Sequence, residues 1–259
     1  MALEPIQYLL GAFSGALVGF VLGLVGGGGS ILAVPLMVYL VRVPQPHVAI
    51  GTSALAVAAN AAMGLVSHHR IGNVKWRCAA LFAVAGIVGA AIGSTLGKAF
   101  DGQKLLFLFA LVMIVVGVLM LRRRAHTGNA GVRLGRDNAL KLLLFGFGAG
   151  LFSGFFGIGG GFLIVPGLIA ATGMPMLNAV GSSLVAVTAF GLTTAANYAL
   201  SGLVDWPLAG LFIAGGFLGS MAGTRAAKRL SGGGHLSTVF AALIFLVAAY
   251  MLWKTGLAV

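Results

Sequence analysis

Two glycine runs carry the clearest chemical capacity in this chain. Gly26-Gly27-Gly28-Gly29-Ser30, followed by Pro35, recurs as Gly157-Ile158-Gly159-Gly160-Gly161, followed by Pro166. A helix that begins after such a run presents backbone N–H groups with no partner inside the helix, at the positive end of its dipole. That arrangement binds an anion without a charged side chain. Four consecutive glycines do nothing for a helix, and they leave amides able to turn toward a ligand. Hydroxyls recur in the same way, at Gly51-Thr52-Ser53 and Gly181-Ser182-Ser183. Amide and hydroxyl donors together suit a tetrahedral or pyramidal oxyanion, which takes several hydrogen bonds at once. At each Ser or Thr the competing reading is a bond back to its own helix. The candidate site is therefore Gly28, Gly29, Ser30, Thr52, Ser53, Gly159, Gly160, Gly161, Ser182 and Ser183.

The elements that position these residues are apolar. Of 259 residues, 59% are hydrophobic and 8% charged, and mean hydropathy is +1.07. A soluble domain is about one quarter charged, so a single soluble core could not hide this surface. The fold class expected is an all-α polytopic membrane protein. Five apolar segments fall in each half: about 6–25, 30–41, 47–66, 76–97 and 104–121, then 139–156, 161–173, 178–198, 206–228 and 237–254. Two of them, after the glycine runs, are too short to span. Twelve residues make roughly 18 Å of helix against a hydrocarbon core of roughly 30 Å. Each is expected to be a half-helix entered through irregular backbone, which membranes tolerate only where protein or water covers it.

The matches between halves keep an offset of about 130 residues, and include Gly72 to Trp76 with Gly202 to Trp206. Glycine-broken segments at matching places in two halves point to a transport site at the repeat interface. Charge then orients the repeats. With an odd number of crossings per half, as five segments would give, the halves are inverted. This puts Arg70, Lys75, Arg77, Arg122, Arg123, Arg124, Arg133, Arg136, Lys141, Arg225, Lys228 and Arg229 on one side, 12 of 16 Lys and Arg. By the positive-inside rule that side is cytoplasmic, and both termini lie outside. The expected organisation is a first repeat over 1–121, a basic linker over 122–138 and a second repeat over 139–259. No cleaved leader is expected, because Glu4 precedes the first apolar stretch where a basic region would stand.

Glycine also repeats every fourth residue, at Gly11, Gly15, Gly19 and Gly23, at Gly146, Gly150 and Gly154, at Gly89, Gly93 and Gly97, and at Gly215, Gly219 and Gly223. Such bare helix faces let backbones approach closely. Packing within one chain is the expectation, with a homodimer face as the alternative. Asn60 and Asn197 are candidates to line a pathway or to bond helices together. His68 and His69 are expected at the interface, with proton coupling the weaker reading, and Trp76 and Trp206 read as interfacial anchors. Cys78 is alone, so no internal disulfide is possible, and it reads as a small apolar residue near a helix start.

Other chemistries lack their parts. The four acidic residues, Glu4, Asp101, Asp137 and Asp205, stand at segment ends or in loops. A carboxylate relay through the membrane therefore has no carrier. No metal-ligand cluster occurs, and no cofactor motif: the glycine runs lack the Gly-Lys-Ser/Thr of a phosphate loop and the strand and downstream acid of a dinucleotide site. An enzyme is not expected. The +12 charge sits in short loops, with no basic stripe interleaved with aromatics, so nucleic acid is not expected as a partner either.

The sequence of glycine run, short apolar stretch with Pro35 or Pro166, then Gly51-Thr52-Ser53 or Gly181-Ser182-Ser183, resembles the TauE/SafE sulfite exporter family, from about Leu9 to Leu252. The resemblance implies a carrier in the bacterial inner membrane for sulfite, thiosulfate or small organosulfonates. A channel or carrier for another small anion, such as sulfate or a carboxylate, is the first alternative. A non-transporting membrane scaffold is the alternative from another class.

Overall fold

The computed structural model describes residues 4–122, 134–157, 161–230 and 245–254. All regular structure among them is helical. Helix α1 spans Pro5–Val25. It runs straight into a short mixed helix, α2, which is 3-10 over Gly26–Leu32, α over Ala33–Pro35 and π over Leu36–Leu40. Then come α3 (Pro46–Arg70), α4 (Trp76–Ala99), α5 (Gly102–Arg122), α6 (Arg136–Phe156), α7 (Gly161–Thr172), α8 (Met176–Ala199) and α9 (Trp206–Leu230). A described helix over Phe245–Lys254, α10, closes the chain. Helices α1, α3, α4, α6, α8 and α9 are long and apolar enough to cross a membrane. Most of the expected linker, 123–133, lies outside the described residues; Arg122 ends α5 and Arg136 opens α6.

The first short segment departs from its expected form. No irregular backbone precedes it: the glycine run is itself a 3-10 turn. Space for the reversal comes from glycine, because a Cβ on Gly29 would overlap the backbone of Val21 and Leu22. The chain folds back on the last turn of α1. At the far end, Gln7 Nε2 donates to the carbonyls of Val41 at 2.9 Å and Arg42 at 3.3 Å, so α2 returns to the end where α1 began.

Glycine faces fix the neighbours and their directions. A Cβ on Gly15 would overlap Phe212, on Gly19 Gly216, and on Gly23 Ser220, so α1 and α9 run parallel. A Cβ on Gly146 would overlap Phe82, on Gly150 Gly86, and on Gly154 Ala90, so α6 and α4 run parallel. All four fourfold glycine rows thus pack within the chain, as expected. Helices α3 and α8 instead run antiparallel: Gly51 meets Tyr198 and the Leu203 carbonyl, and Gly181 meets Asn73.

Two turns of the same kind set this crossing. After α3, the Asn73 N–H donates to the His68 carbonyl at 3.2 Å and the Gly72 N–H to His69 at 3.0 Å. After α8, the Leu203 N–H donates to the Tyr198 carbonyl at 3.0 Å and the Gly202 N–H to Ala199 at 2.9 Å. This is a Schellman end with a left-handed residue at its corner, and Gly72 (φ 79°) and Gly202 (φ 69°) supply it. The helix directions gather Arg70, Lys75, Arg77, Arg122, Arg136, Lys141 and Arg225 at one end of the bundle, and Arg42, Lys98 and Lys104 at the other.

Candidate functional site

The two short helices meet. The Gly161 N–H, first of α7, donates to Ser30 Oγ at 3.2 Å, and both residues are buried. The contact joins residues 131 apart, one from each glycine run. Serine at the end of the first run thus places an oxygen against an N-terminal amide of the second short helix, where its dipole is positive. Gly29 is buried against α1. Gly28 lies in the 3-10 turn. Gly159 and Gly160 lie outside the described residues.

The four hydroxyls behind the runs are engaged in two pairs. Thr52 Oγ1 accepts the Asp205 N–H at 2.9 Å, and Ser182 Oγ accepts the Lys75 N–H at 2.9 Å. These bonds are exchanged: a hydroxyl of α3 holds the turn after α8, and a hydroxyl of α8 holds the turn after α3. Thr52 and Ser182 are 130 apart, and so are Lys75 and Asp205. Ser53 Oγ donates to the Ile50 carbonyl at 3.0 Å and Ser183 Oγ to Val180 at 2.7 Å, the bond back to their own helix that competes with ligand binding. All four residues are fully buried. The structure therefore brings Ser30 and Gly161 together and shows Thr52, Ser53, Ser182 and Ser183 bonded to backbone.

The pathway candidates separate. Asn60, 1% exposed, lies against Gly216 with neither side-chain polar atom bonded. Asn197 is saturated: its Nδ2 donates to Ser94 Oγ at 2.6 Å and Thr95 Oγ1 at 3.0 Å, and its Oδ1 accepts Lys98 Nζ at 2.8 Å. Lys98 Nζ also donates to Ser201 Oγ at 2.8 Å. Sequence reasoning did not find this cluster, although the match of Lys98 to Lys228 in the second half was visible. The histidines separate too. His69 is exposed, and its Nδ1 accepts the Trp76 Nε1–H at 3.2 Å. His68 is buried. Trp76 and Trp206 are exposed at the starts of α4 and α9, and Cys78 is buried in the first turn of α4. Among the described residues no three His, Cys, Asp or Glu side chains group as a metal site would require.

Six apolar spans, glycine-packed helix pairs and two buried short helices meeting at a hydroxyl–amide contact define a polytopic helical membrane protein with a central polar junction. The family model described as "Sulfite exporter TauE/SafE" matches residues 11–251, and the chain belongs to that family of membrane transporters. It is 52% identical to a probable membrane transporter protein of Xylella fastidiosa (strain 9a5c), over 98% of both chains. It is 27% identical to the probable membrane transporter protein YunE of Bacillus subtilis (strain 168), over 83% of this chain and 87% of that one. A probable membrane transporter protein of Haemophilus influenzae is 29% identical over 75% of this chain and 74% of its own. No solved structure matches.

Proposed function

We propose that the chain is a secondary carrier that exports sulfite or a small organosulfonate by alternating access. The observation that carries this reading is the Ser30–Gly161 bond, where the second short helix offers an amide to an oxygen at a buried junction of the two halves. An anion oxygen is the stronger acceptor: it would take the Gly161 N–H from the serine oxygen, and the Ser30 hydroxyl would turn to donate its own proton to the anion. Fixed amide dipoles in a low-dielectric site hold a compact anion without stranding a charge when it leaves. Gly28, Gly29, Gly159 and Gly160 would add amides. Thr52, Ser53, Ser182 and Ser183 would hold the surrounding helices and can turn their hydroxyls toward the anion.

The exchanged bonds of Thr52 and Ser182 and the antiparallel α3–α8 crossing support two inverted repeats, 1–121 and 139–259. Rocking one against the other about the junction would open it to each side in turn. The gathering of basic residues at one end supports a cytoplasmic face there, with both termini outside, in a bacterial inner membrane.

The test is counterflow in proteoliposomes preloaded with sulfite, with sulfoacetate, thiosulfate, sulfate and chloride as competitors, for the wild type and Ser30→Ala. Saturable exchange inhibited by sulfur oxyanions, reduced tenfold or more in Ser30→Ala (about 1.4 kcal/mol of lost binding), is the expected result. Wild-type rates in folded Ser30→Ala would remove the site. Conductance without saturation would replace the carrier by a channel.

A further inference from the structure

We propose that His68 is the proton-binding group of this carrier, taking up a proton together with the anion; the inference rests on the carrier reading above. A cavity of about 60 Å³ lies between α1, α3 and α9, toward the basic end of the bundle, lined by Leu22, Gly23, Gly64, His68, Ser220 and Thr224 among others. It takes polar groups from α3 and α9 and is large enough for a few waters, each of which needs about 10–15 Å³. His68 is 7% exposed, and neither ring nitrogen has a hydrogen-bond partner. A buried imidazole left without partners is costly, so what the cavity offers it decides its role.

The cavity offers acceptors. Ser220 Oγ donates its proton to the Phe217 carbonyl at 2.9 Å, and Thr224 Oγ1 donates to the Ser220 carbonyl. With their protons spent on their own helix, both oxygens can only accept from the cavity. Neutral imidazole has one N–H to give them, and imidazolium has two. The wall opposite His68 is thus built for the protonated ring, directly or through water.

The surrounding charges supply the coupling. Helix α1 brings no charged group to this end; its one ionisable residue, Tyr8, is in its first turn. On α9, Arg225 follows Thr224 and Lys228 comes one turn later. On α3 itself His69 and Arg70 follow, and the turn beyond brings Lys75 and Arg77. The cations among them, Arg70, Lys75, Arg77 and Arg225, repel a proton on His68, and a nearby anion offsets that repulsion. Leu22 joins the cavity to the candidate anion junction: it lines the cavity, and its backbone packs against Gly29, the neighbour of Ser30. Anion and proton then favour each other's binding by the same factor. No carboxylate lies within the six spans to take this role. The position 130 residues on is Tyr198, a phenol that does not titrate near neutral pH.

The deciding experiment uses isethionate, whose sulfonate charge is fixed, so that any proton moved is the protein's. Wild type and His68→Gln are reconstituted, and each is tested for isethionate and sulfite exchange at equal pH and for isethionate accumulation driven by a pH gradient. Wild type should accumulate isethionate about fivefold or more with the gradient over without it. His68→Gln should still exchange both anions and lose the accumulation. Gradient-driven accumulation equal to wild type in His68→Gln overturns the proposal and leaves the carrier intact. Absence of exchange by wild type with every anion overturns the carrier reading instead. Histidine ¹⁵N resonances of the protein in nanodiscs then still decide His68, assigned by its variant or, should that not fold, by the variants of the other four histidines. Titration between about pH 5 and 8 that responds to isethionate supports the proton site, and a ring that never titrates there overturns it.

Discussion

Two matching helices of this protein carry the same backbone and opposite side chains. On α3, Asn60, Gly64 and His68 follow one another at four-residue intervals along one face; on α8, 130 positions on, stand Phe190, Thr194 and Tyr198. Asn60 lies against Gly216 of α9, and Phe190 against Gly86 of α4, and those two glycines are also 130 apart. Phe190 stacks on Phe82 with ring centroids 6.3 Å apart, and fills its slot. Asn60 leaves a buried amide with nothing to bond. Lower on α3, Gly64 and His68 leave the cavity, whereas Tyr198 is fully buried, with the Lys98 ammonium 5.9 Å from its ring centroid. The close backbone crossings recur in both halves, while one stripe borders a cavity and the other is filled by side chains. A carrier that must admit water and charge from one end has a use for that difference.

The largest expected effect tests the shared backbone. Gly19→Val and Gly150→Val, 131 positions apart, each drive a branched side chain into a facing carbonyl, of Gly216 and of Gly86. The obstacle is backbone and cannot swing aside, so the cost exceeds the roughly 1–3 kcal/mol of ordinary overpacking and prevents the helices from closing. Both variants should lose most of their monodisperse protein in detergent size-exclusion of a fluorescent fusion. Loss in one helix pair only would mean that the two crossings are not equivalent in weight.

Next comes the contrast between the stripes. Phe190→Ala removes a fully buried ring from between Gly86 and Phe82 and should cost about 3–5 kcal/mol. Asn60→Ala removes an amide that bonds to nothing, so its loss should fall within about 1 kcal/mol of zero. Thermal unfolding in detergent reads both. Equal destabilisation would show that Asn60 has a bonded partner, such as an ordered water, and would shrink the contrast to one of size.

Most of this architecture was legible in the sequence, because the strongest signals were backbone signals. Glycine rows predicted where helices touch, and the recurrence of Gly72 to Trp76 at Gly202 to Trp206 showed that two connections match. The ends of the apolar runs located nine of the ten segments to within a few residues; the ends of the tenth, 237–254, lie against residues outside the described ones. What escaped was side-chain pairing across the repeat. Nothing in the types of Thr52 and Ser182 says that each holds the other half's turn rather than facing open space. The pair His68-His69 looked interfacial because it sits beside Arg70, yet helix rotation of 100° per residue turns one ring into the bundle and the other out. The 3-10 form of the first glycine run was equally hidden, since four glycines permit almost any backbone.

The smallest effect concerns the ends of the two short helices, and it separates ancestry from need. Arg42 ends α2 with φ 60°, and Gly173 ends α7 with φ 70°, again 131 positions apart. The backbone thus makes the same left-handed corner twice, once with glycine and once with an L residue carrying a Cβ. For a non-glycine residue that conformation costs roughly 1–2 kcal/mol. Glycine removes the strain but gives back part of the gain, about 0.4–1 kcal/mol, through a freer unfolded chain. Arg42→Gly should therefore stabilise the protein by about 0.5 kcal/mol, and Gly173→Ala, with open space around the new methyl, should destabilise it by about 1 kcal/mol through strain alone. Opposite small shifts in thermal midpoint are the expected signature. If Arg42→Gly instead lowers the midpoint, the arginine side chain holds something at that corner that the strain calculation omits, and its retention where the other half has glycine is then selection on the side chain rather than tolerance of the backbone.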